Sequence, residues 1–210
     1  MTAQTTTLFL MRHAEVEERY HRIFGGRLDM ELSPRGHDQA LYLAGHMRAE
    51  RPELIYASPM KRVQLTLLPL LMMSAAGDPP PVVMHGLREV DFGDWTGLSW
   101  EEVSAKFGVQ PIQWLEQLEL GAIPNAESGA EFRARVAPCL EQILREGAGK
   151  RVAVLCHGGT IRMMLSILLE QPLSKMAAFD IDYASVTEVH CSPGRVEVQS
   201  MNFAPWRDAP

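Results

Sequence analysis

Short apolar runs divide the chain into alternating candidate strands and helices. Four runs are continuous and bounded by polar or turn-forming residues, as buried strands are. They are Leu8–Met11, Leu54–Ala57, Val82–Met84 and Arg151–Cys156. Between them, helical patterns run from about 34 to 47, 60 to 73 and 129 to 146. Strands alternating with helices predict a mostly parallel sheet with helices on both faces, a three-layer α/β/α sandwich.

Two segments depart from this alternation. Ser185–His190 and Val196–Ser200 alternate between apolar and polar residues around Pro193-Gly194, which predicts a C-terminal hairpin. The stretch from about 93 to 126 is less regular and predicts short helices that form a small cap over one end of the sheet. A chain of 210 residues then fits one domain, residues 1–210, with this cap inside it.

Composition and charge exclude several classes of partner. The chain has 20 basic and 26 acidic residues and a net charge of −6, so no general attraction to nucleic acid or anionic membranes is expected. Cys139, Cys156 and Cys191 are widely spaced and odd in number, which favours a reducing cytoplasm over a disulfide framework. Met1–Thr7 lacks the basic start of a secretory signal, and no apolar run is long enough to span a bilayer.

Polar groups follow the predicted strands at the points where the strands end. Arg12-His13 follows the first strand, and Arg62 opens the helix after the second. Glu89 follows the third strand and His157 the fourth. The carboxyl ends of parallel strands share one edge of a sheet, so these side chains are expected to converge there.

This combination of side chains has the chemistry that phosphoryl transfer needs. Arginines bind phosphate oxygens, a neutral imidazole can attack phosphorus, and a carboxylic acid can protonate the leaving oxygen. The scheme requires neither a metal nor another cofactor. The seven histidines show no H-x-x-x-H or H-E-x-x-H spacing, so a metal hydrolase is not favoured.

Six ordered motifs resemble those of the histidine phosphatase superfamily, which includes the cofactor-dependent phosphoglycerate mutases. They contain the Arg-His pair, a Gly-Gly-Arg-Leu-Asp segment, the second arginine, the glutamate, a Glu-Ser element and a His-Gly-Gly element. They occupy residues 10–15, 24–36, 58–66, 87–97, 127–128 and 156–162. The resemblance extends from about residue 8 to 203 and implies a phosphoglycerate mutase-like fold.

The resemblance also implies a role for each candidate site residue. His13 would be the phosphorylated nucleophile, with Arg12 and Arg62 clamping the phosphoryl oxygens. His157 would stabilise charge in the transition state. Glu89 would be the general acid and then the base that activates water.

Glycines are expected to bring the main chain close to the phosphoryl group. They are Gly25, Gly26, Gly158 and Gly159, and the resemblance places their backbone amides along the pocket.

Three positions depart from the family pattern. Ala14 stands where glycine is frequent, Val16 where a hydroxyl residue is usual, and Arg19 where an asparagine that helps to hold phosphate is common. We hypothesise that Arg19 or Arg22 replaces that asparagine as a cationic contact.

A phosphatase is favoured over a mutase. Family mutases carry a longer insertion with an arginine pair for the second anionic group of the substrate, whereas Lys106 is the one basic residue between 97 and 126 here. Trp100 and Trp114 in this stretch fit a partly apolar leaving group. The compact length resembles α-ribazole-phosphate phosphatases and broad-specificity members, and the substrate is expected to be a small phosphorylated metabolite. A non-catalytic binding relative would lack a histidine or the glutamate, and none is missing.

Two surface features are weaker signals. Arg133 and Arg135 follow the Glu-Ser element on a helix, where a solvated face is the default expectation. The C-terminal hairpin offers an edge strand through which two copies of the chain could pair as a homodimer.

Overall fold

A six-stranded mixed sheet forms the centre of the protein. The computed structural model describes residues 5–75 and 77–208, so the first four residues of the polar N-terminal segment lie outside the described part. The strands are β1 (Thr6–Arg12), β2 (Leu54–Ala57), β3 (Val82–Val83), β4 (Arg151–Cys156), β5 (Val186–Ser192) and β6 (Arg195–Phe203). Their order is β3-β2-β4-β1-β5-β6. The first four are parallel, and β5 and β6 add the predicted antiparallel hairpin at one edge.

Helices cover both faces of this sheet. They are α1 (Pro34–Glu50), α2 (Lys61–Met72), α3 (Trp100–Phe107), α4 (Trp114–Glu119), α5 (Gly129–Glu146), α6 (Gly158–Leu168) and α7 (Pro205–Asp208). None of those within the described ranges is long and apolar enough to cross a membrane. The three-layer arrangement predicted from the sequence is confirmed.

The alternation of side chains along β1 divides the core into two clusters. Leu8 and Leu10 belong to the cluster under α5, α6 and the cap segment, whereas Phe9 and Met11 belong to the cluster under α1 and α2. Successive residues of a strand point to opposite faces, so a continuous apolar strand is what a sheet covered on both sides requires.

The loop after β1 is held from beneath by α1. Ser33 caps this helix, its Oγ accepting from the Gly36 backbone N–H at 2.9 Å and donating to Glu15 Oε1 at 2.7 Å. Gln39 Oε1 accepts from the Glu15 backbone N–H at 2.8 Å. A Cβ on Gly36 would collide with the carbonyl of Glu15, so the helix and the loop lie in backbone contact. The residues directly before this loop, Arg12 and His13, are thereby fixed in place.

Two glycines of α1 provide a matched test of this contact. Gly36→Ala should lower the free energy of unfolding by about 1–3 kcal/mol, because the added methyl group overpacks against the loop. Gly45 has nothing near its Cβ position, so Gly45→Ala should raise the free energy by about 0.5–1 kcal/mol. Urea denaturation of both variants measures the difference, and equal effects of the two substitutions would disprove the close packing.

Candidate active site

The end of β1 carries two of the predicted site residues into a buried cluster. His13 is 5% exposed, and its ring lies 5.3 Å from that of His157, which is fully buried. Arg62, at the start of α2, is 3% exposed and donates from Nε to His13 Nε2 at 3.1 Å. The carboxyl ends of β1, β2 and β4 therefore bring these groups together as the sequence predicts.

Hydrogen bonding fixes the tautomer of His13. Nδ1 lies 2.8 Å from the Ala14 carbonyl oxygen, which can only accept, so Nδ1 carries the proton and Nε2 presents its lone pair. Burial first, and then the guanidinium groups of Arg62 and Arg12, lowers the pKa of His13 well below its usual value. The ring is therefore a neutral imidazole whose Nε2 carries an electron pair, the form in which it can act as a nucleophile once Arg62 releases that atom.

The ring of His157 packs against that of His13 at 61°, and one of its nitrogens has no hydrogen-bond partner among the described residues. Its Nε2 is 2.8 Å from the Ser58 hydroxyl, while its Nδ1 is buried and has no hydrogen-bond partner among the described residues. Burial, with smaller effects from Arg62 and His13, lowers the pKa of His157 well below its usual value. A buried polar atom without a partner is costly and is characteristic of a site that receives a polar ligand.

The two predicted arginines are held by main-chain carbonyls. Arg62 donates to the carbonyls of Leu28 and Gly26, both at 2.8 Å, and burial lowers the pKa of Arg62 to about 10. Arg12 donates to the Ile181 carbonyl at 2.7 Å. Its guanidinium carbon lies 3.9 Å from the centre of the Tyr183 ring.

Neither guanidinium has a carboxylate partner. Within residues 5–75 and 77–208, Arg12 and Arg62 take part in no ion pair, and Arg12 Nε is buried without any hydrogen-bond partner. The cluster therefore carries positive charge that no direct ion pair neutralises, which favours binding of an anion.

Glu89 lines the same pocket as His13 and the two arginines. One carboxylate oxygen accepts from the Val90 backbone N–H and the other from the Gly159 backbone N–H, each at 3.0 Å. A Cβ on Gly159 would collide with this carboxylate, so the start of α6 packs directly against it. The first turn of α6 thus orients the carboxylate.

One cavity of about 320 Å³ is lined by Arg12, His13, Arg62, Glu89 and Tyr183, but not by His157. Gly25, Gly26, Gly158 and Gly159 also line it, as predicted. The outer wall is largely apolar or aromatic: Tyr20, Ile23, Phe24, Phe92, Trp100, Ile112, Trp114 and Leu115. In the described chain no group of three or more His, Cys, Asp or Glu residues is placed to hold a metal ion.

Neither Arg19 nor Arg22 is among the described residues that line the pocket. Arg19 is exposed and pairs with Glu17 at 2.6 Å, while Arg22 is exposed and pairs with Glu101 at 2.5 Å. Both charges are paired with carboxylates at the surface, and the hypothesis of a phosphate contact stays a prediction. Val16, another departure from the family pattern, is buried and contributes to the pocket wall.

Tyr183 and Arg162 are among the pocket residues to which the sequence assigns no role. Tyr183 precedes β5, and its ring lies 5.5 Å from that of His13 as well as against Arg12. No sequence motif contains Tyr183. It reaches the pocket because it directly precedes β5, which pairs with β1. Arg162 lies one helical turn into α6, and burial lowers its pKa to about 10.

Comparison with known proteins agrees with this geometry. Residues 8–204 match the family described as the histidine phosphatase superfamily (branch 1). The chain is 33% identical to phosphoserine phosphatase 1 of Hydrogenobacter thermophilus over 196 residues, covering 93% of this chain and 92% of that protein. It is 30% identical to the 2,3-bisphosphoglycerate-dependent phosphoglycerate mutase of Bartonella quintana over 169 residues, covering 77% and 81% respectively.

A solved structure extends the agreement to the fold. The mycobacterial glucosyl-3-phosphoglycerate phosphatase superposes with a TM-score of 0.84 at 25% identity, covering 95% of this chain and all of that chain. These findings confirm the phosphoglycerate mutase-like fold and the phosphatase class of enzyme that the sequence predicts. The chain belongs to the histidine phosphatase superfamily.

Proposed function

We propose that this enzyme is a metal-independent phosphomonoesterase that carries the phosphoryl group of a small metabolite on His13. One observation supports this most strongly. A buried donor without a partner, Arg12 Nε, and a buried ring nitrogen without a partner, His157 Nδ1, accompany the lone pair of His13 Nε2, to which Arg62 donates. A phosphoryl group supplies oxygens for the donors, negative charge for the arginines and phosphorus for the nucleophile.

In the first step, His13 Nε2 attacks phosphorus as the bond to the leaving oxygen breaks. Arg62 gives up its contact with Nε2 and, together with Arg12, binds the phosphoryl oxygens. Glu89 donates a proton to the leaving oxygen, so the product departs as a neutral alcohol and Glu89 remains as a carboxylate. His157 donates to the phosphoryl group and stabilises the charge of the transition state.

In the second step, water replaces the alcohol. The Glu89 carboxylate takes a proton from water as its oxygen attacks phosphorus, and the phosphorus–nitrogen bond breaks. Inorganic phosphate leaves, Nε2 recovers its lone pair, and Glu89 recovers its proton.

The small number of cationic side chains in the pocket favours a phosphatase over a mutase. Among the described residues that line the pocket, three are cationic: Arg12, Arg62 and Arg162. Arg162 already donates to the carbonyls of Gly158, Met176 and Phe179. A mutase must also hold the second anionic group of its substrate, and no fourth arginine or lysine is among the described residues that line the pocket.

The leaving group is proposed to be partly apolar. Trp100, Trp114 and Ile112 form the outer wall, where they would contact the part of the substrate beyond the phosphate. These residues belong to the cap segment, about residues 93–126, of a single domain.

A cytoplasmic location and a homodimer are also part of this proposal. All three cysteines are unpaired, and β6 forms an edge of the sheet at which a second copy could pair. The net charge of −6 supports a small-molecule substrate over nucleic acid or a membrane.

The proposed reaction predicts hydrolysis of p-nitrophenyl phosphate that EDTA does not inhibit. His13→Ala should abolish turnover, with kcat falling at least about a thousandfold because the covalent route is lost. His37→Ala, at an exposed histidine of α1, serves as the control and should leave kcat unchanged. Loss of wild-type activity in EDTA, or turnover that survives His13→Ala, would contradict the proposal.

The two buried histidines predict a pH-dependent stability. The pKa values of His13 and His157 are lowered in the folded state, so below about pH 6.5 the unfolded chain binds protons that the native protein does not. Each histidine should then reduce the free energy of unfolding by up to about 1.4 kcal/mol per pH unit as the pH falls below that value.

Urea denaturation between pH 7 and pH 5 measures this dependence. His157→Asn should flatten the slope relative to the wild type, whereas His37→Asn should leave the slope unchanged. Equal slopes for the wild type and His157→Asn would show that His157 is not buried as a neutral ring.

A further inference from the structure

The loop that carries Glu89 is held by a side chain outside the pocket. Glu89 follows a short 3-10 turn, His85–Leu87, and its carboxylate accepts two backbone N–H bonds. Those bonds orient the carboxylate, but they do not fix the main chain that bears it. The main chain is fixed by Arg135 of α5.

Arg135 donates hydrogen bonds to three main-chain carbonyls of this loop. One terminal nitrogen donates to the carbonyls of Gly86 and Arg88 at 2.8 and 2.7 Å, and the other donates to the carbonyl of Glu89 at 3.0 Å. The planar guanidinium matches these acceptors in a fixed geometry that the single ammonium of a lysine cannot reproduce. The sequence-based expectation of a solvated Arg135 is therefore wrong, while Arg133 on the same helix is exposed as expected.

Glu127 holds Arg135 in this orientation. The Nε–H of Arg135 donates to one carboxylate oxygen at 2.5 Å and a terminal nitrogen donates to the other at 2.8 Å. The side chains are 18% and 9% exposed, so solvent screens this two-point pair less than a surface pair. The Arg135 side chain thus makes five hydrogen bonds, two to Glu127 and three to the loop that carries Glu89.

The packing leaves the loop little freedom to move away from α5. A Cβ on Gly86 would lie 2.6 Å from the Arg135 carbonyl oxygen and would also collide with Cys139 Sγ, so loop and helix are in backbone contact. Thr160 of α6 donates to the Arg88 carbonyl at 3.1 Å and holds the loop from its other side. A displacement of the loop would require the Arg135 bonds to break first.

We propose that Arg135, oriented by Glu127, is a positioning residue that sets where Glu89 delivers its proton to the leaving oxygen. This inference rests on the general-acid role of Glu89 in the proposed function. Arg135 does not line the pocket among the described residues, so it acts through the Glu89 main chain and not by contact with substrate. A shift of about 1 Å in a catalytic group can cost about a hundredfold in rate.

The test compares two substrates whose leaving groups differ in their need for a proton. The p-nitrophenolate ion leaves without protonation, whereas the alkoxide of p-nitrobenzyl phosphate needs the acid, and the two substrates have nearly the same shape. The measured quantity is the ratio of kcat/KM for the benzyl ester to kcat/KM for the phenyl ester. Both values come from one enzyme preparation, so the ratio does not depend on the fraction that has folded.

Arg135→Met should lower this ratio about tenfold or more, and Glu89→Gln should lower it about a hundredfold or more. Arg135→Lys should recover only part of the loss, and Glu127→Gln provides a second variant that loosens Arg135 without removing it. Arg133→Met is the matched control on α5 and should leave the ratio at the wild-type value. In a Glu89→Gln background, Arg135→Met should lower the ratio no further, because Arg135 affects proton transfer only by positioning Glu89.

The outcomes separate this inference from the proposed function. An unchanged ratio in Arg135→Met and Glu127→Gln, with a lowered ratio in Glu89→Gln, would overturn the positioning role alone. An unchanged ratio in Glu89→Gln would overturn the acid role of Glu89 and the inference with it, while loss of both activities in His13→Ala would still support the phosphohistidine route. A further decrease in the double variant would show that Arg135 acts independently of Glu89.

Discussion

The unneutralised positive charge around His13 is the constraint on which the rest of the structure depends. Burying guanidinium groups without a carboxylate partner is costly, and here Arg12 and Arg62 are stabilised by main-chain carbonyls and, for Arg12, by the face of Tyr183. Carbonyl dipoles hold the arginines in place without cancelling their charge, as a carboxylate would. Burial first, and then the same positive charge, lowers the pKa of His13, so a single arrangement provides both the anion site and the nucleophile.

The helices that pack on the sheet hold the loops at its carboxyl edge in place. Contacts from α1 hold the loop after His13, and Arg135 of α5 holds the loop that carries Glu89. The start of α6 supplies Gly159 to the Glu89 carboxylate. Each reacting group therefore lies on a short connection anchored to a helix, which is how α/β proteins combine variable loops with precise geometry.

Much of this could be predicted from the sequence, and the omissions have physical causes. The strands, the Ser33 cap and the convergence of Arg12, His13, Arg62 and Glu89 follow from local patterns and the shared edge of parallel strands. Tyr183 and Arg135 do not, because each acts through main-chain or stacking contacts with residues far away in the chain. The expectation of a solvated Arg135 failed, since the number of charges in a segment does not reveal which carboxylates or carbonyls each side chain can reach.

The central claim is a covalent phosphoryl group on His13, and trapping that intermediate tests it most directly. Glu89→Gln should accumulate it from p-nitrophenyl phosphate, because the first step needs no acid with this substrate while the second step loses its base. Alkaline quenching, proteolysis and mass spectrometry should then place the phosphoryl group on the peptide containing His13, with His13→Ala as the unlabelled control. A label on another residue, or steady turnover by the wild type with no phosphoenzyme in either protein, would contradict the account.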